Sequence, residues 1–282
     1  MAYPIVLAHG IARFDILRRE LEARGILTDI TGNDALHYFR NIRPFLQQHG
    51  FTVYHTNVSF AASIEQRSRE LAEQVDALCA RHGKVHIIGH SMGGLDARHM
   101  IVDIPGMDQK VASLTTVGTP HLGTSFADWG LSNGGDELIR ALEDVVDLRG
   151  FASLTTSACQ AFNRRAEAAE AANPVVYQTY ASSQEKYRVL GPLQAFWQII
   201  QNFEGDNDGL VPVRSQLWCA ELVSDGHRKR VAQHRFPIPA DHFNQIGWWD
   251  VREWLAGQNP VEYERAIQAV YLRIAQSVSG IA

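Results

Sequence analysis

Short apolar runs alternate with longer amphipathic stretches along most of this chain, and no other feature constrains its fold as strongly. Runs typical of buried strands cover residues 3–8, 51–58, 84–89, 111–118, 174–181 and 231–237. Helical patterns separate them, and the clearest spans 63–82, where Ser63 and Gln66 have capping-box spacing and Gly83 ends the pattern. This alternation is typical of a parallel sheet covered by helices. We therefore predict one α/β domain over residues 1–282, with sequential strands joined by crossovers.

Three further helical patterns complete this picture. Apolar residues keep helical spacing over 36–46, where Pro44 is expected to kink the helix. A second helix is predicted over Met92–Asp103, directly after a strand. The tail, 261–278, carries apolar residues at four-residue spacing, which predicts a closing amphipathic helix.

The charge balance argues against one large class of partner. The 282 residues include 26 Lys and Arg against 31 Asp and Glu, a formal net charge of −5. Without a basic excess, the chain has no general means of neutralising a nucleic-acid backbone, so we expect no nucleic-acid partner. The hydrophobic fraction of 45% is too high for a disordered chain.

The cysteines and the first residues of the chain indicate the cellular compartment to be expected for the protein. Cys79, Cys159 and Cys219 are an odd number and lie far apart, which argues against a disulfide framework and a thiolate zinc site. The first ten residues carry no basic segment before their apolar run, so we interpret them as a strand and not as a signal peptide. No stretch reaches the roughly 18 apolar residues of a membrane span. Localisation is expected to be cytoplasmic for the sequence as it stands, and secreted if a leader precedes it.

The segment Gly89-His90-Ser91-Met92-Gly93 matches the pattern GxSxG. Its glycines let a strand turn sharply into a helix and expose the serine hydroxyl, and here the segment does lie between a predicted strand and a predicted helix. The alternative is a tight turn with an inert serine. The context favours a nucleophile elbow, so we predict Ser91 as the nucleophile of a serine hydrolase.

A serine hydroxyl needs a histidine to take its proton and a carboxylate to orient that histidine, in the chain order Ser, Asp, His. Asp206 and Asp208 share one loop, and the turn-prone neighbours of Asp208 favour it as the acid. His242 follows the last predicted strand, where the third residue belongs, whereas His234 lies inside that strand. We therefore predict the triad Ser91, Asp208 and His242.

The loop after the first strand contains Ala8-His9-Gly10-Ile11. In hydrolases with this elbow, one oxyanion donor comes from such a loop and the other from the residue after the nucleophile. We therefore predict the backbone N–H groups of Ile11 and Met92 as the oxyanion hole. The alternative for this segment is a glycine turn without a catalytic task.

Five blocks in the same order resemble the bacterial triacylglycerol lipases typified by those of Pseudomonas and Burkholderia. The blocks are YPIVLAHG at 3–10, IGHSMGG at 88–94, VGTPHLGT at 117–124, NDGLV at 207–211 and HFNQ at 242–245. The resemblance implies an α/β-hydrolase fold with a mainly parallel sheet flanked by helices and without the first two strands. It also implies the triad and oxyanion hole given above, and substrate-binding positions at His9, Gly10, His90 and Leu122. A lipase or esterase cleaving lipid or aliphatic esters, with action at a lipid–water interface, is the implied activity.

The chain departs from these lipases at their calcium site and their disulfide. Asn244 stands where they have an aspartate two residues after the catalytic histidine, and residues 187–203 hold no Asp or Glu for a second ligand. The position of their usual disulfide falls at Arg214, with Cys219 close by but in another register. We therefore expect no calcium, no other metal and no cofactor.

Two stretches fit the strand and helix alternation poorly and are interpreted as insertions. Residues 125–163 include an amphipathic pattern between Trp129 and Leu148, predicted as a lid, with a helix packed permanently on the core as the alternative. Residues 182–204 are rich in large apolar side chains that suit an acyl-chain wall or ordinary packing. Two other functions stay open: an acyltransferase or thioesterase with the same triad, and a noncatalytic binding module.

Overall fold

A seven-stranded sheet forms the centre of the computed structural model. The structure describes residues 3–11, 34, 37–59, 62–133, 148–248, 257 and 259–281. The strands are β1 (Ile5–Ala8), β2 (Val53–His55), β3 (Val85–His90), β4 (Val111–Val117), β5 (Val176–Ala181), β6 (Glu221–Ser224) and β7 (His227–Arg235). Their order is β2-β1-β3-β4-β5-β7-β6, and every neighbouring pair is parallel except β6 with β7.

The strand order differs from the predicted sequential order at both edges. At one edge β1 lies between β2 and β3. At the other edge β6 and β7 form an antiparallel hairpin that the sequence pattern does not predict, joined by Asp225 and Gly226 with φ of 49° and 81°. A two-residue turn with positive φ at both positions is the favoured hairpin connection. Because the β7 residues before Val231 are polar, the apolar pattern showed only the second half of this strand.

The helices lie between the strands as the sequence pattern indicates. They are α1 (Ile42–Gln48), α2 (Ile64–His82), α3 (Met92–Asp103), α4 (Met107–Lys110), α5 (Ser125–Asn133), α6 (Thr156–Ala172), α7 (Gln194–Glu204), α8 (Val213–Leu217) and α9 (Pro260–Val278). The predicted ends of α2 are confirmed, since Ser63 accepts a hydrogen bond from the Gln66 amide and Gly83 follows with φ of 83°. Pro44 does not kink a longer helix, because α1 begins at Ile42 and the proline lies in its first turn, where no amide partner is required.

The sheet buries apolar side chains on both faces, as a parallel sheet requires. Along β1, Ile5 and Leu7 pack in one core cluster and Val6 and Ala8 in the other, which is the two-residue alternation of a strand. The first cluster includes the buried face of α9, and the second includes the buried faces of α2 and α3. The predicted closing helix is therefore confirmed as a packing element.

The two predicted insertions contain regular elements. Residues 125–163 comprise α5, a 3-10 segment at Leu148–Leu154 and the first half of α6, so the boundary at 163 falls inside a helix. Most of the predicted lid, residues 134–147, lies outside the described residues. Residues 182–204 contain 3-10 turns at Lys186–Arg188 and Gly191–Leu193, followed by α7. In the described part of the chain, no helix is both long and apolar enough to cross a membrane.

Candidate active site

The serine of the GxSxG segment lies at the sharp turn between β3 and α3. Ser91 has φ of 56° and ψ of −132°, a backbone conformation that residues with a side chain rarely adopt. Its amide donates to the Val117 carbonyl at 2.9 Å, and the Thr119 hydroxyl donates to the Ser91 carbonyl at 2.9 Å. These bonds from the end of β4 stabilise a strained turn, as a nucleophile elbow requires.

Two glycines allow the close contacts around this turn. A Cβ on Gly93 would lie 2.4 Å from the Ala8 carbonyl oxygen, so glycine is needed for α3 to start against the end of β1. A Cβ on Gly10 would lie 2.8 Å from the Cβ of Ser91. The backbone of the loop after β1 therefore passes directly beside the serine, where donors to a substrate carbonyl are needed.

The predicted acid and base meet across two loops at the carboxyl end of the sheet. The His242 Nδ1–H donates to Asp208 Oδ2 at 2.8 Å, and the His242 amide donates to the Asp208 carbonyl at 2.9 Å. The other carboxylate oxygen, Oδ1, accepts from the amides of Leu210 and Val211 at 3.0 and 2.8 Å. Asp208 is fully buried, whereas the side chain of Asp206 is exposed. The structure thus pairs His242 with Asp208, the carboxylate predicted from the sequence.

Ser91 and His242 line the same small cavity. Its remaining wall is mostly apolar and consists of Ile11, Pro120, Thr124, Phe126, Phe151, Leu154, Leu210 and Val211. The rings of Phe126 and Phe151 form a T-shaped contact, with 5.0 Å between their centroids. The Phe126 ring also packs against Phe196 of α7, with 4.3 Å between the centroids. A cavity of this lining suits an apolar chain next to a polar reacting group.

The two predicted oxyanion donors flank the serine. Ile11 is buried in the cavity wall, and Met92 is the first residue of α3. The first amides of a helix have no partner within that helix, so the start of α3 directs N–H groups toward the serine turn. The role of Ile11 and Met92 stays a prediction that this placement supports.

A buried ion pair supports the loop that carries Ile11. Arg67 of α2 binds Asp96 of α3 through Nε and Nη2, with the shortest contact at 2.6 Å, and both side chains are fully buried. The same Nη2 donates to the His9 carbonyl at 2.9 Å. Arg67 therefore joins the loop after β1 to α3, the helix that follows Ser91. A sequence signal existed, because this arginine lies on the mainly apolar face of α2.

The structure gives different surroundings to the four positions that the resemblance implies for substrate binding. Gly10 lies beside Ser91, as described above. His9 is buried, with Nδ1 bonded to the Gly10 carbonyl at 2.8 Å, and burial lowers its pKa to about 3. His90 is fully buried beside His242, with 4.5 Å between the ring centroids, and Leu122 packs against the opposite core cluster. None of these four residues is among the described residues that line the cavity, and their role in substrate binding stays a prediction.

Asn244, at the position of the implied calcium ligand, uses both polar atoms of its side chain in hydrogen bonds. The Asn244 Nδ2 donates to the Trp248 carbonyl at 2.9 Å, which a carboxylate could not do. Its Oδ1 accepts from the Asp241 amide at 3.0 Å, and the Tyr263 hydroxyl, which donates to the Pro239 carbonyl at 2.7 Å, packs beside it. An amide nitrogen facing a carbonyl does not fit a calcium ligand set.

Asp241 holds the same loop from its other side. Its carboxylate accepts from the amides of Phe243, Asn244 and Leu190, at 2.9, 2.7 and 2.9 Å. The bond to Leu190 ties the His242 loop to the 182–204 segment. Neutral backbone donors thus occupy the Asp241 carboxylate, and they connect the His242 loop to the 182–204 segment without a metal.

We expect thermal unfolding in EDTA and in excess calcium to give the same Tm, because hydrogen bonds of Asn244 and Asp241 fix the His242 loop without a metal. Differential scanning calorimetry of the same protein sample in the two buffers measures this, with magnesium as the control for ionic strength. A Tm that rises with calcium and not with magnesium would contradict it.

One group of potential metal ligands is found among the described residues, at Asp34, His37 and His55. The two imidazole rings are stacked, 4.4 Å apart and 2° from parallel, so their in-plane lone pairs do not converge on one point. Arg43 also binds both carboxylate oxygens of Asp34. A guanidinium in this place opposes a cation, so this arrangement is better explained as an ion-paired cluster.

Comparison with known proteins places this geometry in a family. A model of the alpha/beta hydrolase fold matches residues 3–247. A triacylglycerol lipase of Vibrio cholerae is 30% identical over 264 residues, which are 80% of this chain and 77% of that protein. Triacylglycerol lipase 2 of Saccharomyces cerevisiae is 29% identical over 252 residues, which are 76% of this chain and 74% of the yeast protein.

Solved structures show the same fold at lower sequence identity. The crystal structure of Staphylococcus hyicus lipase matches with a TM-score of 0.64 and 18% identity, covering 98% of this chain and 96% of that chain. A metagenomic carboxyl esterase matches with a TM-score of 0.65 and 17% identity, covering 98% and 75%. The chain therefore belongs to the α/β-hydrolase fold family, and triacylglycerol lipases of bacteria and yeast are among its relatives.

Proposed function

We propose that the protein is a serine carboxylic ester hydrolase, a lipase or esterase that acts through an acyl-enzyme. One observation carries the proposal: His242, hydrogen-bonded to the buried carboxylate of Asp208, lines the same apolar cavity as Ser91 at its strained turn. Family membership and the triacylglycerol lipases among the relatives support it.

The residues act in a fixed order in this mechanism. Ser91 Oγ attacks the ester carbonyl carbon while His242 Nε2 takes the hydroxyl proton, and Asp208 stabilises the imidazolium. The oxyanion accepts hydrogen bonds from the N–H groups of Ile11 and Met92. The intermediate then expels the alcohol, which receives the proton from His242 and leaves an acyl-Ser91 ester. A water molecule, deprotonated by His242, then attacks the acyl carbonyl carbon. The bond to Ser91 Oγ breaks, His242 returns the proton to Oγ, and the carboxylic acid leaves.

The cavity lining indicates the acyl side of the substrate. Phe126, Phe151 and Leu154 offer apolar contacts and no charge, so an aliphatic chain gains by leaving water for this site. Leu131 of α5 and Phe203 of α7 are 57% and 70% exposed on the two helices that pack beside the cavity. Exposed apolar side chains at this place suit contact with a lipid surface, and the proposal that 125–163 contains a lid is consistent with them.

We expect p-nitrophenyl esters of aliphatic acids to be hydrolysed, because the apolar cavity accepts the acyl chain beside Ser91. Rates for a series from acetate to palmitate, together with triacylglycerol emulsions, measure the preference. Parallel assays with acyl thioesters, and with glycerol as acyl acceptor, separate hydrolysis of oxygen esters from thioesterase and acyltransferase activity. Absence of turnover on every ester would contradict the proposed function.

A further inference from the structure

A buried glutamine contacts the triad from the side opposite the solvent. Gln245 lies in the 3-10 turn Asn244–Ile246 that follows His242, and it is fully buried. Its Nε2 donates to Asp208 Oδ2 at 2.8 Å, the same oxygen that accepts from His242. The backbone carbonyl of Gln245 accepts a hydrogen bond from the Tyr271 hydroxyl at 3.0 Å, which connects this turn to α9.

Neighbouring groups fix which way the glutamine amide points. Its Nε2 also lies 2.8 Å from the hydroxyl of Ser182. Ser182 donates its one hydroxyl proton to the Ala240 carbonyl at 2.7 Å, so toward Gln245 it can only accept. Both Nε2 hydrogens are therefore used, one on Ser182 and one on Asp208, and Oε1 faces His90 at 3.1 Å.

The same logic sets the protonation of His90. Because Gln245 Oε1 can only accept, His90 Nε2 carries a hydrogen. Burial, together with the nearby His242, holds the pKa of His90 well below its usual value, so the ring is neutral and its Nδ1 is bare. That Nδ1 accepts from the Tyr38 hydroxyl at 2.7 Å, and burial raises the pKa of Tyr38, which keeps its proton. Three donors thus run in one direction, from Tyr38 through His90 and Gln245 to Asp208.

We propose that Gln245 is a positioning residue of the catalytic triad, which orients the Asp208 carboxylate and sets the basicity of His242. This inference rests on the proposed function. Oδ1 of Asp208 is already held by two amides, so the bond from Gln245 completes the fixation of Oδ2 opposite His242. A donated hydrogen bond also withdraws part of the negative charge from Oδ2, which weakens its stabilisation of the His242 imidazolium.

The direction of the effect follows from this charge. Without the hydrogen bond from Gln245, Asp208 Oδ2 would keep more of its negative charge in a buried site. It would therefore stabilise protonated His242 more strongly. The pKa of His242 would rise, and its part of the acidic limb of the pH–rate profile would move to higher pH. Burial, together with the Asp208 charge, raises the pKa of the neighbouring Asp241 to about 7, so the NMR signal of the His242 ring identifies which group has moved. A merely structural role would lower the amount or stability of active protein and leave that limb in place.

We expect Gln245→Met, which keeps the volume and removes both polar atoms, to lower kcat about tenfold with an unchanged KM. The acidic limb should move up by about half a unit to one unit. NMR titration of the His242 ring should show the same rise without any substrate. The matched control is Gln178→Met on β5, because Gln178 is also buried and donates two bonds, to Thr115 and Ser277, but does not contact the triad.

A second variant keeps the test informative if Gln245→Met does not fold. In Gln245→Glu, a carboxyl group beside Asp208 must share a proton with it, which should add a further ionisation to the pH–rate profile. Profiles of both variants that superimpose on wild type, or an equal shift in the Gln178→Met control, would overturn the inference. A wild-type protein that hydrolyses no ester would instead refute the proposed function, and the NMR titration would still decide whether Gln245 tunes His242.

Discussion

Ser91→Ala is expected to abolish ester hydrolysis and to leave the fold intact. Without Oγ no acyl-enzyme forms, and the oxyanion hole alone retains only a small part of the rate enhancement, so kcat should fall by at least about 10³-fold. Alanine carries the same Cβ at φ of 56°, so the backbone strain of the turn is unchanged. Initial rates on a hydrolysed p-nitrophenyl ester, with circular dichroism and Tm on the same samples, measure both effects.

A fluorophosphonate probe gives an independent readout, because it reacts only with an activated serine. Wild type should be labelled once, at Ser91, and Ser91→Ala not at all. Ser113→Ala is the matched control, since Ser113 is a fully buried serine on β4 whose hydroxyl contacts His86 and no catalytic residue. A folded Ser91→Ala protein that keeps more than about a tenth of the wild-type rate would remove Ser91 from its assigned role.

The parts of the fold that could be predicted are those where both faces of the chain are buried. Strands β3 and β4 are buried along their whole length because helices cover both sides of the sheet, and α2 has a capping serine and a terminal glycine that mark its ends. The hairpin of β6 and β7 lies at the sheet edge and is mostly polar, so its pattern does not stand out. The place of β1 between β2 and β3 depends on contacts distant in sequence.

Some residues of the candidate site could also be predicted from the sequence, and others could not. Ser91, Asp208 and His242 could be chosen because the hydrolase mechanism requires their residue types in a known order after the elbow. Gln245 and Tyr38 could not, since an amide or a phenol has no spacing rule and their role appears only when distant loops meet. His90 shows the converse: it belongs to the GxSxG segment, yet its side chain supports Asp208 through Gln245 and does not line the cavity. Sequence blocks of this kind therefore mark packing residues together with catalytic ones.

Asp208→Asn is expected to lower kcat by about 10⁴-fold, the size of effect seen when a serine protease triad loses its carboxylate. The amides of Leu210 and Val211 require an acceptor, so the asparagine Oδ1 would remain with them and its Nδ2 would face His242. A donor at that position favours the tautomer with a bare Nδ1 and a hydrogen on Nε2. His242 could then no longer accept the Ser91 proton, and the bond from Gln245 Nε2 would also be lost.

Asp206→Asn is the matched control for this prediction, because it makes the same change two residues away in the same loop. The Asp206 side chain is exposed, and the Asp206 carbonyl that accepts from the Val213 amide at 2.8 Å is unaffected by the substitution. We expect its kcat to stay within about twofold of wild type, as for most exposed substitutions away from a site. Both variants should be compared on one ester at saturating concentration. A larger loss in Asp206→Asn than in Asp208→Asn would transfer the acid role to Asp206, and two small losses would mean that His242 is not the base.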